Sequence, residues 1–179
     1  MKLIPSLFNI WILLIPFIII SIYIPVFRKD IAKRMSDMTG YSSKEKMFTV
    51  IASIMPYPFL ILTIWLPFSG SLLYLISGFL FYLTGMIMFI SSVKVIVQTP
   101  ENELFNKGPY RFSRNPMYTS AAMIFTGISL LSGYPSLLIY LLVMFIFQHL
   151  MVLAEERVCK EKFGTSYIEY MKSIPRYLI

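Results

Sequence analysis

The residues best placed to grip a charged ligand fall in two short segments. The first, Gly108-Pro109-Tyr110-Arg111-Phe112-Ser113-Arg114-Asn115-Pro116-Met117-Tyr118, leads into an apolar stretch. Asn is a favoured helix N-cap and Pro is favoured at the first helical position, so Asn115-Pro116 predicts a helix start. The free N–H groups and positive dipole end of such a helix attract an anion such as a carboxylate, and Arg111 and Arg114 add charge nearby. The second segment is Glu155-Glu156, at the end of the last apolar run. Carboxylates there suit hydroxyls, an amine or a cation. A basic helix start facing an acidic pair makes a bipolar site, suited to a zwitterionic ligand with an apolar partner arriving from lipid. His149, beside Gln148, is a further polar residue within an apolar run, where such residues mark a site or an interhelical hydrogen bond.

Other chemistries lack their residues. The eight glycines never form Gly-x-Gly, so neither a Rossmann phosphate turn nor a P-loop is present, and there is no Gly-x-Ser-x-Gly elbow. One Cys and one His build no zinc centre, so no metal is expected. Cys159, the single cysteine, has no internal disulfide partner.

The elements that must position these residues follow from charge. Of the 179 residues 57% are apolar and only 14% charged, against roughly 25% for a soluble domain. Three runs, 3–27, 47–93 and 115–153, carry no formal charge at all. This distribution excludes an ordinary cytosolic enzyme, a disordered chain and a disulfide scaffold. The net charge of +7 comes from basic residues flanking apolar runs, which argues against nucleic acid as a partner and for membrane lipids.

A helix crosses the hydrocarbon core with about 20 residues. The first run fits one crossing and reads as a retained helix, because it lacks a small-x-small cleavage site. The second and third runs are too long for one helix each. They break at Pro67-Phe68-Ser69-Gly70-Ser71 and Ser132-Gly133-Tyr134-Pro135-Ser136, where Pro and Gly puncture the pattern. The expected fold is therefore all-α. It is an integral membrane bundle of five transmembrane helices near 7–27, 47–66, 72–93, 116–131 and 137–153. The last four form two helical hairpins, and a short C-terminal helix lies in the cytoplasm. All basic residues except Lys2 then fall on one side, which places the N-terminus outside and the C-terminus in the cytoplasm. The membrane would be the cell membrane in a prokaryote or the endoplasmic reticulum in a eukaryote.

From Gln98 to Pro175 the chain resembles the isoprenylcysteine carboxyl methyltransferase family, within the membrane phospholipid methyltransferases. The pieces are Gly108-Pro109-Tyr110, Arg114-Asn115-Pro116-Met117-Tyr118, Glu155-Glu156, Phe163-Gly164, Tyr167, Tyr170 and Pro175-Arg176, in the family's order around a hydrophobic hairpin. The resemblance implies methyl transfer from S-adenosylmethionine, with S-adenosylhomocysteine as product. It implies a cofactor pocket within 98–175, lined by Gln98, Asn102, Glu103, Leu104, Tyr110, Asn115, Pro116, Met117, Tyr118, Glu155 and Glu156. Tyr110 or Tyr118 would face the sulfonium. The reaction is an alignment-driven displacement that assigns no catalytic residue, with Arg114, Tyr118 and His149 as candidates for a supporting role. The implied partner is a lipid or prenylated-cysteine substrate entering from the bilayer.

Two positions depart from the family pattern. Asn115 stands where His is usual, and Met151 where the isoprenylcysteine enzymes carry an arginine for the substrate carboxylate. The expected acceptor is the C-terminal carboxylate of an isoprenylcysteine-like substrate, with a phospholipid amine as the alternative. Sterol reductases have a similar C-terminal half, but NADPH would need more arginines than the loop provides. A non-catalytic scaffold would keep the motif only as a fold element.

Overall fold

The computed structural model describes residues 9–134 and 136–178, and these are helical with no strands. The start of the first expected span, Lys2 and Pro135 lie outside the described residues. A 3-10 turn at Ile10–Leu14 leads into α1 (Ile15–Phe27), which breaks at Arg28 into α2 (Lys29–Met35). Then follow α3 (Ser43–Ile54), α4 (Pro56–Leu62), α5 (Leu72–Gln98), α6 (Pro116–Leu131), α7 (Leu137–Phe163) and α8 (Thr165–Ser173).

Local chemistry sets the boundaries. α3 starts at Ser43 rather than near Met47, because Ser42 and Glu45 form a reciprocal capping box. Pro56 has no N–H to donate and divides α3 from α4. α7 runs past Leu153, as its polar end predicts, and stops at Gly164, whose φ of +54° suits only a residue without Cβ. The break between α4 and α5 spans Pro67 and Gly70, and α6 ends just before Gly133, whose φ is +70°.

Ser43–Leu62, Leu72–Gln98 and Leu137–Phe163 are each long and apolar enough to cross a bilayer. The bent pair Ile10–Ile24 and Lys29–Met35 makes a fourth if it counts as one span. α6 has 16 residues, about 24 Å of helix against a core of about 30 Å. Five crossings were expected; among the described residues three meet the length requirement outright. The chain is a multi-pass membrane protein.

Packing departs from the two sequential hairpins. α3 lies on α7 rather than on α5, while α5 makes its most extensive contact with α6, across the 99–115 loop; α6 also packs on α7. The reason lies in small residues. A Cβ built at Gly127 would stand 2.6 Å from the Gly78 carbonyl oxygen and 2.7 Å from the Tyr82 nitrogen, so the α5 and α6 backbones nearly touch. Around this crossing sits the core, including Phe59, Phe125, Ile124, Ile128 and Leu141. Since the obstructing atoms are backbone, Gly127→Ala should destabilise the bundle by about 1–3 kcal/mol. Thermal unfolding in detergent would show it; an unchanged midpoint would mean the crossing relaxes freely.

Candidate functional site

The charged end of the bundle is organised by one carboxylate. Glu156, on α7, is 3% exposed. Arg114 reaches it with two bonds, Nε to Oε1 at 3.0 Å and Nη2 to Oε2 at 3.2 Å. Arg176 donates Nε and Nη2 to Oε2 at 3.0 and 2.9 Å. Asn115 donates Nδ2 to Oε1 at 3.0 Å. The remaining Arg114 donor holds the carbonyls of Met171 and Ile174. This network straps the 174–176 tail across the start of α6.

Two expectations change here. Asn115 occupies the N-cap position of α6, but its side chain makes no cap bond and turns to Glu156 instead. Arg114 is no free cation beside a ligand, since Glu156 neutralises it directly; Arg111 is exposed.

Glu155, next in the chain, points elsewhere. A 100° step along a helix puts adjacent side chains on different faces. Its Oε1 accepts from the Tyr118 hydroxyl at 2.5 Å. That contact forms part of the wall of a chamber of about 270 Å³, with several charged residues in its lining, between the 99–115 loop, α2, α7 and α8. Of the residues expected around a cofactor, Glu103, Leu104, Tyr110, Asn115, Met117, Tyr118, Glu155 and Glu156 line this chamber. Three do not. Gln98 is exposed at the end of α5, Asn102 is exposed in the turn after it, and Pro116 is buried at the base of α6. His149 lies outside the chamber, with Nδ1 2.9 Å from the Tyr177 hydroxyl.

One wall of the chamber carries no site motif in the sequence. Arg34, Asp37, Thr39 and Tyr41, from α2 and the segment after it, also line the chamber. Arg34 donates to the Thr99 carbonyl at 2.9 Å and stands 4.5 Å over the Phe105 ring, so α2 is tied to the loop. Arg157 donates to both Glu45 oxygens, at 2.9 and 2.7 Å, and to the Gly40 carbonyl at 2.8 Å, holding the segment against α7. Only the Ser42-x-x-Glu45 signal marked this region, and it fixes a helix start rather than a site. Hydrogen bonds from Thr39 keep the Asp37 carboxyl below its ordinary value. Burial, with the Glu155 charge nearby, pushes the phenols of Tyr41 and Tyr110 well above theirs, so both stay neutral.

A second cavity, about 720 Å³ and mostly apolar, runs down between α1, α3 and α7. It shares Met35, Asp37, Tyr41, Met117, Tyr118 and Glu155 with the chamber. Asp37 and Glu155 are the charged residues in its lining, and Met151 is part of its wall. A chamber lined by many charged residues and a groove lined by few therefore open onto one set of side chains.

Residues 67–166, more than half of the chain, match the profile of the family described as phospholipid methyltransferase. No curated protein and no solved structure matches the chain.

Proposed function

The chain belongs to the phospholipid methyltransferase family, and we propose on that premise that it is a membrane enzyme moving a methyl group from S-adenosylmethionine to the polar head of a lipid. The observation that carries this reading is the shared wall of Tyr118, Glu155, Met117, Tyr41, Asp37 and Met35 between chamber and groove. Methyl transfer needs donor and acceptor aligned, and two cavities meeting at one set of side chains bring them together.

The chamber's side chains fit the cofactor. Bound there, it would supply a methyl group activated by positive sulfur. The neutral phenols of Tyr110 and Tyr41 offer electron-rich faces to a cation, and Glu155 and Glu103 offer carboxylates to hydroxyls or an amine. Arg34 and Lys162 line the chamber with no ion pair among the described residues, and either suits a carboxylate. The basic loops and tail support a cytoplasmic position for this end of the bundle.

The groove bears on the acceptor. A carboxylate, as on an isoprenylcysteine, would meet Asp37 and Glu155 and no cation, since position 151 holds Met. An amine head meets two carboxylates instead, which favours the phospholipid amine as acceptor. An ammonium must lose a proton to become a nucleophile, and Glu155, oriented by Tyr118, is placed to take it.

Calorimetry of purified protein in detergent tests the cofactor half. S-adenosylhomocysteine should bind saturably and NADPH should not. NADPH binding alone would favour a reductase, and binding of neither would sink the enzyme reading.

A further inference from the structure

The chamber is unevenly charged. Asp37, Glu101, Glu103 and Glu155 line it, while Glu156 is taken up by Arg114 and Arg176. A ligand carboxylate is therefore repelled along most of the lining and needs a cation of its own. With Arg114 spent on Glu156, the cations left in the lining are Arg34 and Lys162.

The two are not equivalent. Arg34 is half-buried on α2 and held in place. Its Nη1 donates to the Thr99 carbonyl at 2.9 Å, Nη2 reaches the Glu103 carbonyl at 3.5 Å, and the guanidinium lies 4.5 Å over the Phe105 ring. These partners are neutral, and no carboxylate forms an ion pair with Arg34 among the described residues. Nε–H and one hydrogen on each Nη are left over, donors enough for both oxygens of a carboxylate. A side chain already fixed gives up little entropy on binding. Lys162 is exposed, and its Nζ makes one long bond, 3.4 Å to the Glu101 carbonyl. An ion contact at an exposed lysine is screened by water and worth little.

Arg34 also has suitable neighbours. Phe105 packs on Tyr110 with ring centres 5.2 Å apart, and both line the chamber. Burial pushes the Tyr110 phenol up, Glu155 adds to the rise and Arg34 opposes it, so both charges act on this one ring. A ligand with a carboxylate and positive centres meets a cation, two aromatic rings and a carboxylate within one stretch of lining.

We infer that Arg34 is a specificity-determining residue that takes the carboxylate of the cofactor's methionine part, so that α2, outside the 67–166 family match, completes the cofactor site. This rests on the reading of the chamber as the S-adenosylmethionine site.

The test compares S-adenosylhomocysteine with its decarboxylated counterpart, in which hydrogen replaces the carboxylate. Calorimetry of the full-length protein in detergent gives both affinities. The wild type should favour S-adenosylhomocysteine by about 10- to 100-fold, the factor that hydrogen bonds between charged groups supply. Arg34→Gln should erase that preference and keep the unfolding midpoint, while Lys162→Gln should retain it. Arg34 also ties the 99–105 loop to α2, but a loosened loop weakens both ligands alike and leaves their ratio unchanged. An Arg34→Gln protein that keeps the preference therefore overturns the inference. Loss of the preference in Lys162→Gln alone does the same. A wild type that binds both ligands equally also overturns it, and leaves the cofactor reading standing. A wild type that binds neither removes the cofactor reading and the inference with it. If Arg34→Gln does not fold, Arg34→Lys takes its place: it keeps the charge but loses the planar fork, so the preference should fall severalfold, and an undiminished preference overturns the inference.

Discussion

Glu155→Gln should lower affinity for S-adenosylhomocysteine by roughly 100-fold and abolish methyl transfer, with no loss of fold. The size follows from removing the charge from a carboxylate that is bonded to Tyr118 and faces both cavities. Loss of one partner in a desolvated, hydrogen-bonded charged contact costs about 2–5 kcal/mol, and each 1.4 kcal/mol is tenfold. Gln keeps the shape and still accepts from the Tyr118 hydroxyl, so the unfolding midpoint should hold. Calorimetry of the variant decides the matter. An unchanged affinity would take Glu155 out of the ligand site. A lost affinity together with a collapsed midpoint would make it a structural residue. Tyr118→Phe serves as the companion variant. It removes the hydroxyl that orients Glu155 but leaves the carboxylate, so it should slow transfer more than it weakens binding.

Turns and the polar pieces of the site have local signatures, and those were readable: Pro67 and Gly70 before α5, Gly133 after α6, and the Gly108–Tyr118 segment. The misreadings share one cause, which is that tertiary contacts outrank a local rule. Asn115 is a good cap by composition, yet a buried carboxylate bonds its amide more strongly than the helix end does. The 28–46 segment reads as a basic loop, yet Arg34 and Arg157 pin it over the chamber through contacts far along the chain. The partnering of α5 with α6 depends on close approach at Gly78, Gly85 and Gly127; the seven-residue spacing of Gly78 and Gly85 marks one face of α5 but does not say which helix meets it. The two adjacent glutamates looked equivalent because only their faces distinguish them, and the partners on those faces come from elsewhere in the chain.

Glu156→Ala is therefore expected to fail in the opposite way to Glu155→Gln, through stability. The Glu156 side chain is 3% exposed and that of Arg114 is 7% exposed. Removing the carboxylate leaves the Arg114 guanidinium buried without its counter-charge, an error worth about 3–5 kcal/mol. For a chain of this length that is a fall in midpoint of roughly 10 °C. Arg176, at 32% exposure, can turn to water and adds little to the cost. The tail it anchors should then loosen, so limited proteolysis should clip near 174–178 in the variant and spare the wild type. A second variant separates lost charge from lost packing. Arg114→Met combined with Glu156→Leu removes both charges and restores apolar volume, and replacing a whole buried pair costs far less than breaking one. Most of the midpoint should return. If the double variant stays as unstable as Glu156→Ala, the stability resides in the bonds to the tail carbonyls of Met171 and Ile174, which Arg114 alone supplies. If Glu156→Ala keeps the wild-type midpoint, the network does not hold this end of the bundle, and Glu156 belongs with Glu155 as a ligand-facing group.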